Sequence, residues 1–332
     1  MRRYLLIILF FTFGKVYSQD PIFSQTFLVP ETISSSFTGA LRSTKLGVLH
    51  RSQWTNFGIK VNTNFAYFDT WAEGFRSGIG ISFLNHTESE NQYSFNQFNL
   101  NYALAIQISD LWYFRPSISL GAGIKDYGFQ NLLLEDQINV NTGGINTGTI
   151  DPILLNEKTT FFDFSSSVLF NNENSWFGLT LRHLNTPNIS MTNEGNTPLP
   201  IFLSVHANIE FPLHRFSNYG YSDKSSFYFL ANYMMQSKYN RFDIGSQYVY
   251  DNKFSLGLIF ATNPIKTEKR SYFLTSINVF GGIKWEGFKF GYSYDINASD
   301  IGVTGGVHEF SVTYDFNVNL RLLNHYKCVR YF

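Results

Sequence analysis

Polar and apolar residues alternate with a period of two along most of this chain. In residues 97–108, Phe98, Leu100 and Tyr102 alternate with Asn99 and Asn101. This pattern predicts β-strands with one apolar and one polar face. It recurs in fourteen segments of about ten residues, a length that suits tilted strands crossing a membrane. The predicted strands are 44–54, 57–69, 75–86, 95–108, 111–124, 159–170, 175–185, 201–213, 225–236, 239–250, 253–262, 271–284, 287–296 and 307–318.

The alternation is clearest in two segments near the end of the sequence. Tyr292 shares one face of its predicted strand with Tyr294 and Ile296, and Phe310 begins a similar aromatic row on the next strand. The opposite positions hold polar residues, including Asp295 and Glu309. A hairpin of this kind fits a wall with lipid on one side and a polar interior on the other. A soluble β-sandwich that buries the same faces is the alternative.

The spacing of the predicted strands gives a second test of the barrel hypothesis. Connections after the fourth, sixth, tenth and twelfth strands are short, whereas alternate connections include 87–92, 125–158 and 186–200. Outer-membrane barrels have short periplasmic turns and longer external loops. We therefore expect periplasmic termini and an external 125–158 loop that forms a folded cap or partner contact. The long connection at 214–224 is an exception, and weak alternation in 111–124 leaves twelve or sixteen strands as alternatives.

Composition and the N-terminus indicate an exported protein with much apolar surface. The 332 residues include 35 Phe and 20 Tyr, and charged residues make up 15%, compared with about 25% in average globular chains. Residues 1–18 resemble a signal peptide, with Arg2 and Arg3 before a short apolar run. No later segment has the roughly 20 apolar residues of a membrane-spanning helix. The chain is therefore expected to be either a secreted β protein or an outer-membrane barrel.

Charge and cysteine content exclude some other classes. Removing Arg2, Arg3 and Lys15 from the 25 Lys and Arg leaves 22 basic residues against 25 acidic ones. This balance gives no electrostatic reason to expect nucleic acid as a partner. Cys328 is the single cysteine, so an internal disulfide framework is excluded.

The sequence contains no recognisable catalytic or metal-binding motif. The seven histidines do not form an HExxH pair, and neither GxSxG nor a phosphate-binding loop occurs. His308, Glu309 and Ser311 lie close together, but successive strand residues point to opposite faces. We therefore expect no local triad, no enzymatic activity and no cofactor. A membrane-embedded hydrolase is the alternative, to be detected as lipid turnover.

Segments at both ends of the predicted mature chain resemble the PorP/SprF family of Bacteroidota, outer-membrane proteins of the type IX secretion and gliding-motility system. The resemblance rests on "QDPIFSQ" near the N-terminus, "LHRSQW" at 49–54, and "GYSYDINAS" and "GVHEFSVTYDF" near the C-terminus. The candidate partner or lumen residues are Asp20, Pro21, Phe23, Ser24, Gln25, Phe27, Gly39, Arg51, Gln53, Trp54, Tyr292, Asp295, His308 and Glu309.

The resemblance implies a non-enzymatic accessory of secretion in the outer membrane. Its partners would be a secreted surface protein or adhesin, or alternatively a periplasmic peptidoglycan-binding lipoprotein, with outer-membrane lipid around the wall. The expected organisation is a signal peptide at 1–18, an N-terminal segment at 19–42 in the periplasmic mouth or lumen, an all-β transmembrane barrel of about fourteen antiparallel strands at 43–318, and a periplasmic tail at 319–332. A channel for small or hydrophobic compounds is the alternative function.

Overall fold

One antiparallel sheet of fourteen strands forms the wall. The computed structural model describes residues 19–56, 58, 60–90, 92–128, 135–139, 142–146, 158–191, 195–213, 225–265, 273–298 and 305–316. Each described strand pairs with its sequence neighbours, and the last pairs with the first from Lys45↔Asp315 to Gln53↔Val307, so the sheet closes into a barrel. The strands are β1 Lys45–Gln53, β2 Val61–Ala72, β3 Ser77–Glu88, β4 Tyr93–Leu104 with a continuation at Ile106–Gln107, β5 Tyr113–Tyr127, β6 Lys158–Asn171, β7 Ser175–Arg182, β8 Phe202–Pro212, β9 Ser226–Gln236, β10 Tyr239–Tyr250, β11 Phe254–Thr262, β12 Leu274–Trp285, β13 Phe288–Asn297 and β14 Val307–Asp315.

Four short 3-10 helices accompany the strands in the described residues: Pro30–Thr32, Ser35–Phe37, Glu73–Phe75 and Glu135–Gln137. Among these residues, no helix has the length and apolar character needed to cross a membrane.

The two faces of the wall follow the alternation in the sequence. On β13 and β14, Tyr292 and Phe310 are 43% and 54% exposed, whereas Ser293 and Glu309 are fully buried. Contiguous apolar surface of this extent is rare on a monomer in water, and it matches the lipid-facing band of a membrane barrel. Other outward residues of the same character are Leu46, Val48, Ile79, Ile81, Phe83, Phe98, Leu100, Ile118, Leu120, Phe229, Leu256, Leu258, Phe260 and Phe290.

The predicted number of strands is confirmed, while several predicted bounds are wrong by a few residues. The second strand, predicted at 57–69, begins at Val61 and ends at Ala72, and the twelfth begins at Leu274. Alternation continues into the flanking turns, so periodicity alone does not locate the strand ends. The weakly alternating segment 111–124 belongs to the longest strand, β5, where Pro116 points outward and Arg115 inward. Small residues in this strand weaken its sequence pattern.

The barrel has two distinguishable ends. We call the end where β1 begins the entry end; it also holds the turns at 73–76, 172–174, 251–253 and 286–287. The opposite end is the far end, and it includes the longest connection in the wall, 128–157. The prediction that 87–92 is a long loop is wrong, because β3 and β4 extend into it and leave only 89–92 between them. The far-end connection at 237–238 is also short, so loop length separates the ends less sharply than the sequence predicts.

The N-terminal segment at 19–42, called the plug below, lies inside the barrel. It leads into β1 at the entry end, and Asp20 reaches Gln236 and His183 at the far end. The plug therefore runs along most of the lumen. Its apolar residues join inward-facing side chains of the wall in one buried cluster that includes Phe27, Phe37, Leu169, Trp176, Tyr228, Leu230 and Phe280.

Several sequence predictions fall outside the described residues. These are the signal peptide at 1–18, the connection at 214–224 and the tail at 319–332 with Cys328. Within the 125–158 stretch, the described residues between the strands form the 3-10 helix at Glu135–Gln137 and an isolated bridge between Ile138 and Ile145.

Candidate functional site

The interface between the plug and the wall is the candidate functional site. Residues 23–40 are buried except for Glu31, whose backbone is partly exposed, and the half-buried Ser35. Backbone groups without water must be paired within the protein. The two 3-10 helices of the plug satisfy some of them, and the hydroxyl of Ser34 accepts the N–H of Ser36 at 3.2 Å. Side chains of the wall satisfy others.

One group of buried charges joins the plug to the first and last strands. Glu309 on β14 accepts the backbone N–H groups of Ser24 at 2.9 Å and Gln25 at 3.0 Å, and it pairs with Arg51 on β1. The Ser24 hydroxyl donates to Asp295 on β13 at 2.6 Å. Two buried carboxylates are thus stabilised by one guanidinium and by three donors from the plug, because a buried charge is tolerated only when it is paired and hydrogen-bonded.

Gln25 extends this group along β14 with both ends of its amide. Its Nε2 donates to the backbone oxygen of Glu309 at 2.8 Å, and its Oε1 accepts the hydroxyl of Ser311 at 2.5 Å. On β1, Arg51 uses its Nε to donate to Gln53 at 2.6 Å, which fixes the orientation of the guanidinium. The plug is therefore held in one register relative to the last strand.

β13 contacts the plug at Leu28. Lys289 donates to the backbone oxygen of Leu28 at 2.7 Å. At Gly291, an added Cβ would fall within 3.0 Å of the Leu28 and Gln25 side chains and of the Ser311 hydroxyl. The absence of a side chain at Gly291 is what lets the plug approach this strand.

Lys45 at the start of β1 binds the next part of the plug. Its ammonium pairs with Glu31 and lies 3.5 Å from a carboxylate oxygen of Asp69 on β2. All three side chains are at most 6% exposed. The plug thus supplies one of the two carboxylates that neutralise a buried lysine.

Three phenylalanines of the plug pack on aromatic residues of the wall. Phe23 lies 5.9 Å from Phe65, and Phe27 stacks on Phe280 at 5.2 Å between ring centroids. Phe37 meets Trp176 edge-on at 5.0 Å. Fully burying each phenylalanine contributes roughly 1.5–3 kcal/mol, so these rings anchor the plug at separate places along the lumen.

Near the entry end the plug is held by hydroxyl groups and close backbone contact. The hydroxyls of Ser35 and Ser36 lie 2.8 and 2.9 Å from that of Ser117 on β5, and Arg115 donates to the backbone oxygen of Ser36 at 3.1 Å. Arg115 also donates to Thr38 at 2.8 Å. This part of the plug makes short, mostly uncharged contacts.

Two glycines allow the backbones to touch at this place. Gly39 has a φ of +62°, a conformation that favours glycine. A Cβ at Gly78 on β3 would fall within 3.0 Å of the backbone of Thr38 and Gly39. The plug backbone therefore lies directly on the wall.

The far end of the plug is held by Asp20. Its carboxylate lies 2.9 Å from Nε2 of His183, whose Nδ1 is 2.9 Å from Asp163. Burial alone would raise the pKa of Asp20, but His183 and Arg182 hold this pKa below its usual range. Burial lowers the pKa of His183, but Asp20 and Asp163 outweigh it and raise that pKa to about 9. At neutral pH a charged imidazolium therefore links the plug to β6.

The space left beside the plug is small in the described part of the lumen. A cavity of about 90 Å³ lies between the plug and β2–β7 and includes Phe23, Asn99 and Arg182 in its lining. A second cavity, of about 240 Å³, lies at the far end beside Ile22 and Arg241. The plug therefore occupies much of the lumen that the described residues enclose.

The structure brings most of the predicted site residues together in the lumen. Those at the plug–wall interface are Asp20, Pro21, Phe23, Ser24, Gln25, Phe27, Gly39, Arg51, Gln53, Asp295 and Glu309. Three do not join them. Trp54 is 41% exposed at the far end of β1, and Tyr292 and His308 contact each other at 3.0 Å on the outer face.

Sequence reasoning missed several residues that hold the plug. Arg115, Arg182 and Lys289 donate to plug carbonyl oxygens, and His183 binds Asp20. Arg115, Arg182 and Lys289 do carry a signal in the sequence, because a charged residue at an inward position of a membrane strand must find a partner. The partner itself lies far away in the sequence, so the pairing is not readable from alternation.

In the described residues, no group of three His, Cys, Asp or Glu side chains is arranged to bind a metal ion. His308 and Glu309 point to opposite faces, as predicted, with Glu309 inside against the plug.

Comparison with known proteins identifies a family. The model of a family described as type IX secretion system membrane protein PorP/SprF matches residues 15–314. No curated protein matches the sequence.

Solved structures also match the chain along most of its length. A monoaromatic hydrocarbon channel, CymD, is 13% identical with a TM-score of 0.49, covering 92% of this chain and 96% of its own. A Pseudomonas aeruginosa FadL homologue is 10% identical with a TM-score of 0.46, covering 92% of this chain and 96% of its own. Omp33 of Acinetobacter baumannii is 8% identical with a TM-score of 0.44, covering 83% of this chain and 99% of its own. None of the three reaches a TM-score of 0.5, so they do not bear on function.

Proposed function

The chain belongs to the PorP/SprF family of type IX secretion system membrane proteins, and from that premise we propose that it assists export or surface anchoring of a specific secreted protein. The protein is an outer-membrane β-barrel. In this proposal it has no enzymatic activity and serves as a docking partner, while the client crosses the membrane elsewhere.

The filled lumen is the observation that most favours this role. The plug buries Phe27, Leu28 and Phe37 almost completely and makes hydrogen bonds to strands on several sides of the barrel. A client chain could pass only if all these contacts were broken together. A barrel built in this way is better suited to present surfaces at its two ends than to conduct a polypeptide.

We further propose that the entry end faces the periplasm. The turns at 251–253 and 286–287 are short, and the longest connection, 128–157, lies at the far end. Short periplasmic turns and longer external loops are typical of outer-membrane barrels. A protease site near Gly144 should therefore be cut on intact cells, while one at Asn252 should be protected.

The proposed partner is a secreted surface protein such as an adhesin. A periplasmic peptidoglycan-binding lipoprotein at the entry end is the second partner that family membership suggests. Neither partner requires nucleic acid or a cofactor.

The role can be tested by loosening the plug without changing the outer face. In the Phe23→Ala, Phe27→Ala double variant, two buried rings are lost at a cost of about 3–5 kcal/mol each. The matched control is Phe229→Ala, Phe260→Ala, since these rings are 50% and 41% exposed on the outer face. The measurement is the protein content of the cell surface and of the medium, in each variant and in a deletion strain.

We expect the plug variant to insert into the membrane but to lose one or a few surface proteins, while bulk secretion continues and the control behaves as wild type. An unchanged surface protein content in both the deletion and plug-variant strains would contradict the proposal. If uptake of a small solute also fell, a channel function would be favoured instead.

A further inference from the structure

The junction between β1 and β14 differs from every other junction of the described wall. The other strand pairs join neighbours in the sequence, whereas Arg51 and Glu309 across this seam are 258 residues apart. The entropic cost of bringing two segments together grows with the logarithm of the chain length between them. The seam is therefore the most costly pairing of the barrel to nucleate.

Plug residues 24–31 contact both strands of this seam and the neighbouring strand β13. Ser24 and Gln25 bind Glu309 on β14, and the backbone oxygen of Leu28 binds Lys289 on β13. Glu31 pairs with Lys45 on β1. The same short segment thus touches both sides of the junction, in addition to the direct strand pairing.

The contacts on the β1 side are local in sequence. Glu31 and Lys45 are 14 residues apart, and Ser24 and Arg51 are 27 apart with a 3.4 Å contact between the hydroxyl and the guanidinium. These pairs can form before the rest of the barrel, because short loops cost little entropy to close. Once formed, they present two N–H groups and one guanidinium with no carboxylate between them.

The last hairpin supplies that carboxylate. Glu309 accepts all three groups, and Asp295 accepts the Ser24 hydroxyl. Charge-assisted hydrogen bonds are about twice as strong as neutral ones. A plug already docked on β1 therefore binds the inner face of β13–β14 in the register that pairs β1 with β14.

We propose that plug residues 24–31 act as an intramolecular template for barrel assembly, capturing the last hairpin through Glu309 and so closing the seam between the first and last strands. This function is separate from partner docking and concerns how the chain reaches its folded state. It also accounts for the position of the plug's hydrogen bonds to the buried carboxylates Glu309 and Asp295, which lie at the seam although the plug touches most of the wall.

The test follows seam closure during refolding of the full mature chain. The protein is unfolded in urea, diluted into lipid–detergent micelles and sampled over time on unboiled SDS gels, where a closed barrel migrates differently from the boiled form. Glu309→Gln removes the charge and keeps the shape. Asp163→Asn is the matched control, because Asp163 is equally buried and holds the plug through His183, away from the seam.

We expect Glu309→Gln to slow closure by about tenfold or more, since it weakens charge-assisted bonds formed at the closing step. Asp163→Asn should stay within about threefold of wild type by the same reasoning. A wild-type rate for Glu309→Gln, or equal slowing in both variants, would overturn the proposal.

A third variant separates seam closure from general loss of folding. Leu46 and Tyr314 are paired across the seam on the outer face, so Leu46→Cys with Tyr314→Cys, in a Cys328→Ser background, can link the strands before refolding. This disulfide should restore closure of Glu309→Gln to within about threefold of the linked wild type, because the entropic cost is then already removed. Failure to restore it would show that Glu309 acts on folding in some other way, and the template function would be rejected.

Discussion

The plug is held differently in its two halves. Residues 24–31 use charges and side-chain amides: Glu309, Arg51 and Lys45 with their plug partners form buried ionic groups. Residues 34–40 use hydroxyls and backbone contact, with Gly78 of the wall directly against Thr38 and Gly39. The first half contacts β1 and the distant strands β13 and β14, and the second half contacts β3 and β5 near the entry end.

The difference shows how one segment can bind at a specific position in the barrel and also be held rigidly there. Buried ion pairs are strongly directional but contribute little net stability after desolvation. Close backbone packing tolerates almost no added volume, because protein interiors are packed as densely as organic crystals. The ionic half is therefore expected to determine where the plug binds, and the glycine half to determine how firmly it is seated.

Among substitutions that add or remove one small group, the largest effect is expected at Gly78. In Gly78→Ala the new Cβ would meet plug backbone atoms that have no side-chain freedom to move away. We expect a loss of about 1–3 kcal/mol or more, typical of overpacking, measured as a lower urea midpoint for loss of the heat-modifiable band. Gly281→Ala is the control, since its Cβ would approach no atom closer than 3.4 Å.

A smaller effect is expected at Gly291. There the added Cβ would meet the ends of the Leu28, Gln25 and Ser311 side chains, which can rotate. Gly291→Ala should therefore cost less than Gly78→Ala, at about 1 kcal/mol, by the same urea measurement. The reverse order would mean that the ionic half is the more rigid of the two.

Removing one hydroxyl near the entry end should matter less again. In Ser36→Ala, the contacts to Ser117 and Ser167 are lost, but those two hydroxyls remain 2.6 Å apart and still bond to each other. We expect a loss of about 0.5 kcal/mol, the lower end of the range for one hydrogen bond. A loss as large as that of Gly78→Ala would show that the hydroxyls, and not the backbone contact, seat this half.

The mildest effect is expected from pH at the far-end part of the plug, around Asp20. The pKa of Asp20 is lowered, so its contribution is present above its ordinary pKa and disappears only in stronger acid. The pKa of His183 is raised to about 9, so its contribution is complete below about pH 6.5 and is lost as pH rises through 9. A spin label at Gln19 should gain mobility between about pH 7 and pH 10, and His183→Gln should abolish this dependence. Equal mobility at both pH values in the wild type would contradict the assignment.

Much of the fold could be predicted from the sequence because alternation in a membrane strand has a direct physical cause. Lipid on one side and a polar interior on the other force every second residue outward, as in Tyr292 and Phe310. Strand ends could not be predicted as well, because a strand can continue through polar residues after the apolar alternation has ended, as β3 does at Thr87 and Glu88.

The residues of the candidate site could be predicted only in part. Asp20, Ser24, Arg51 and Glu309 were identified from family resemblance, but nothing in the sequence indicated that Ser24 and Glu309 contact each other across 285 residues. The resemblance also included Tyr292 and His308, which lie on the outer face. Contacts between an N-terminal segment and a wall depend on the closed structure, and local periodicity contains no information about them.

Conductance across a planar lipid bilayer tests the central claim, that a seated plug closes this barrel. Wild-type protein should show no large, steady open state, because the plug lies buried inside the described lumen. The Phe23→Ala, Phe27→Ala variant should show openings, since it loses two of the rings that hold the plug. A large, steady conductance in the wild type, unchanged in the variant, would contradict the account and favour a channel.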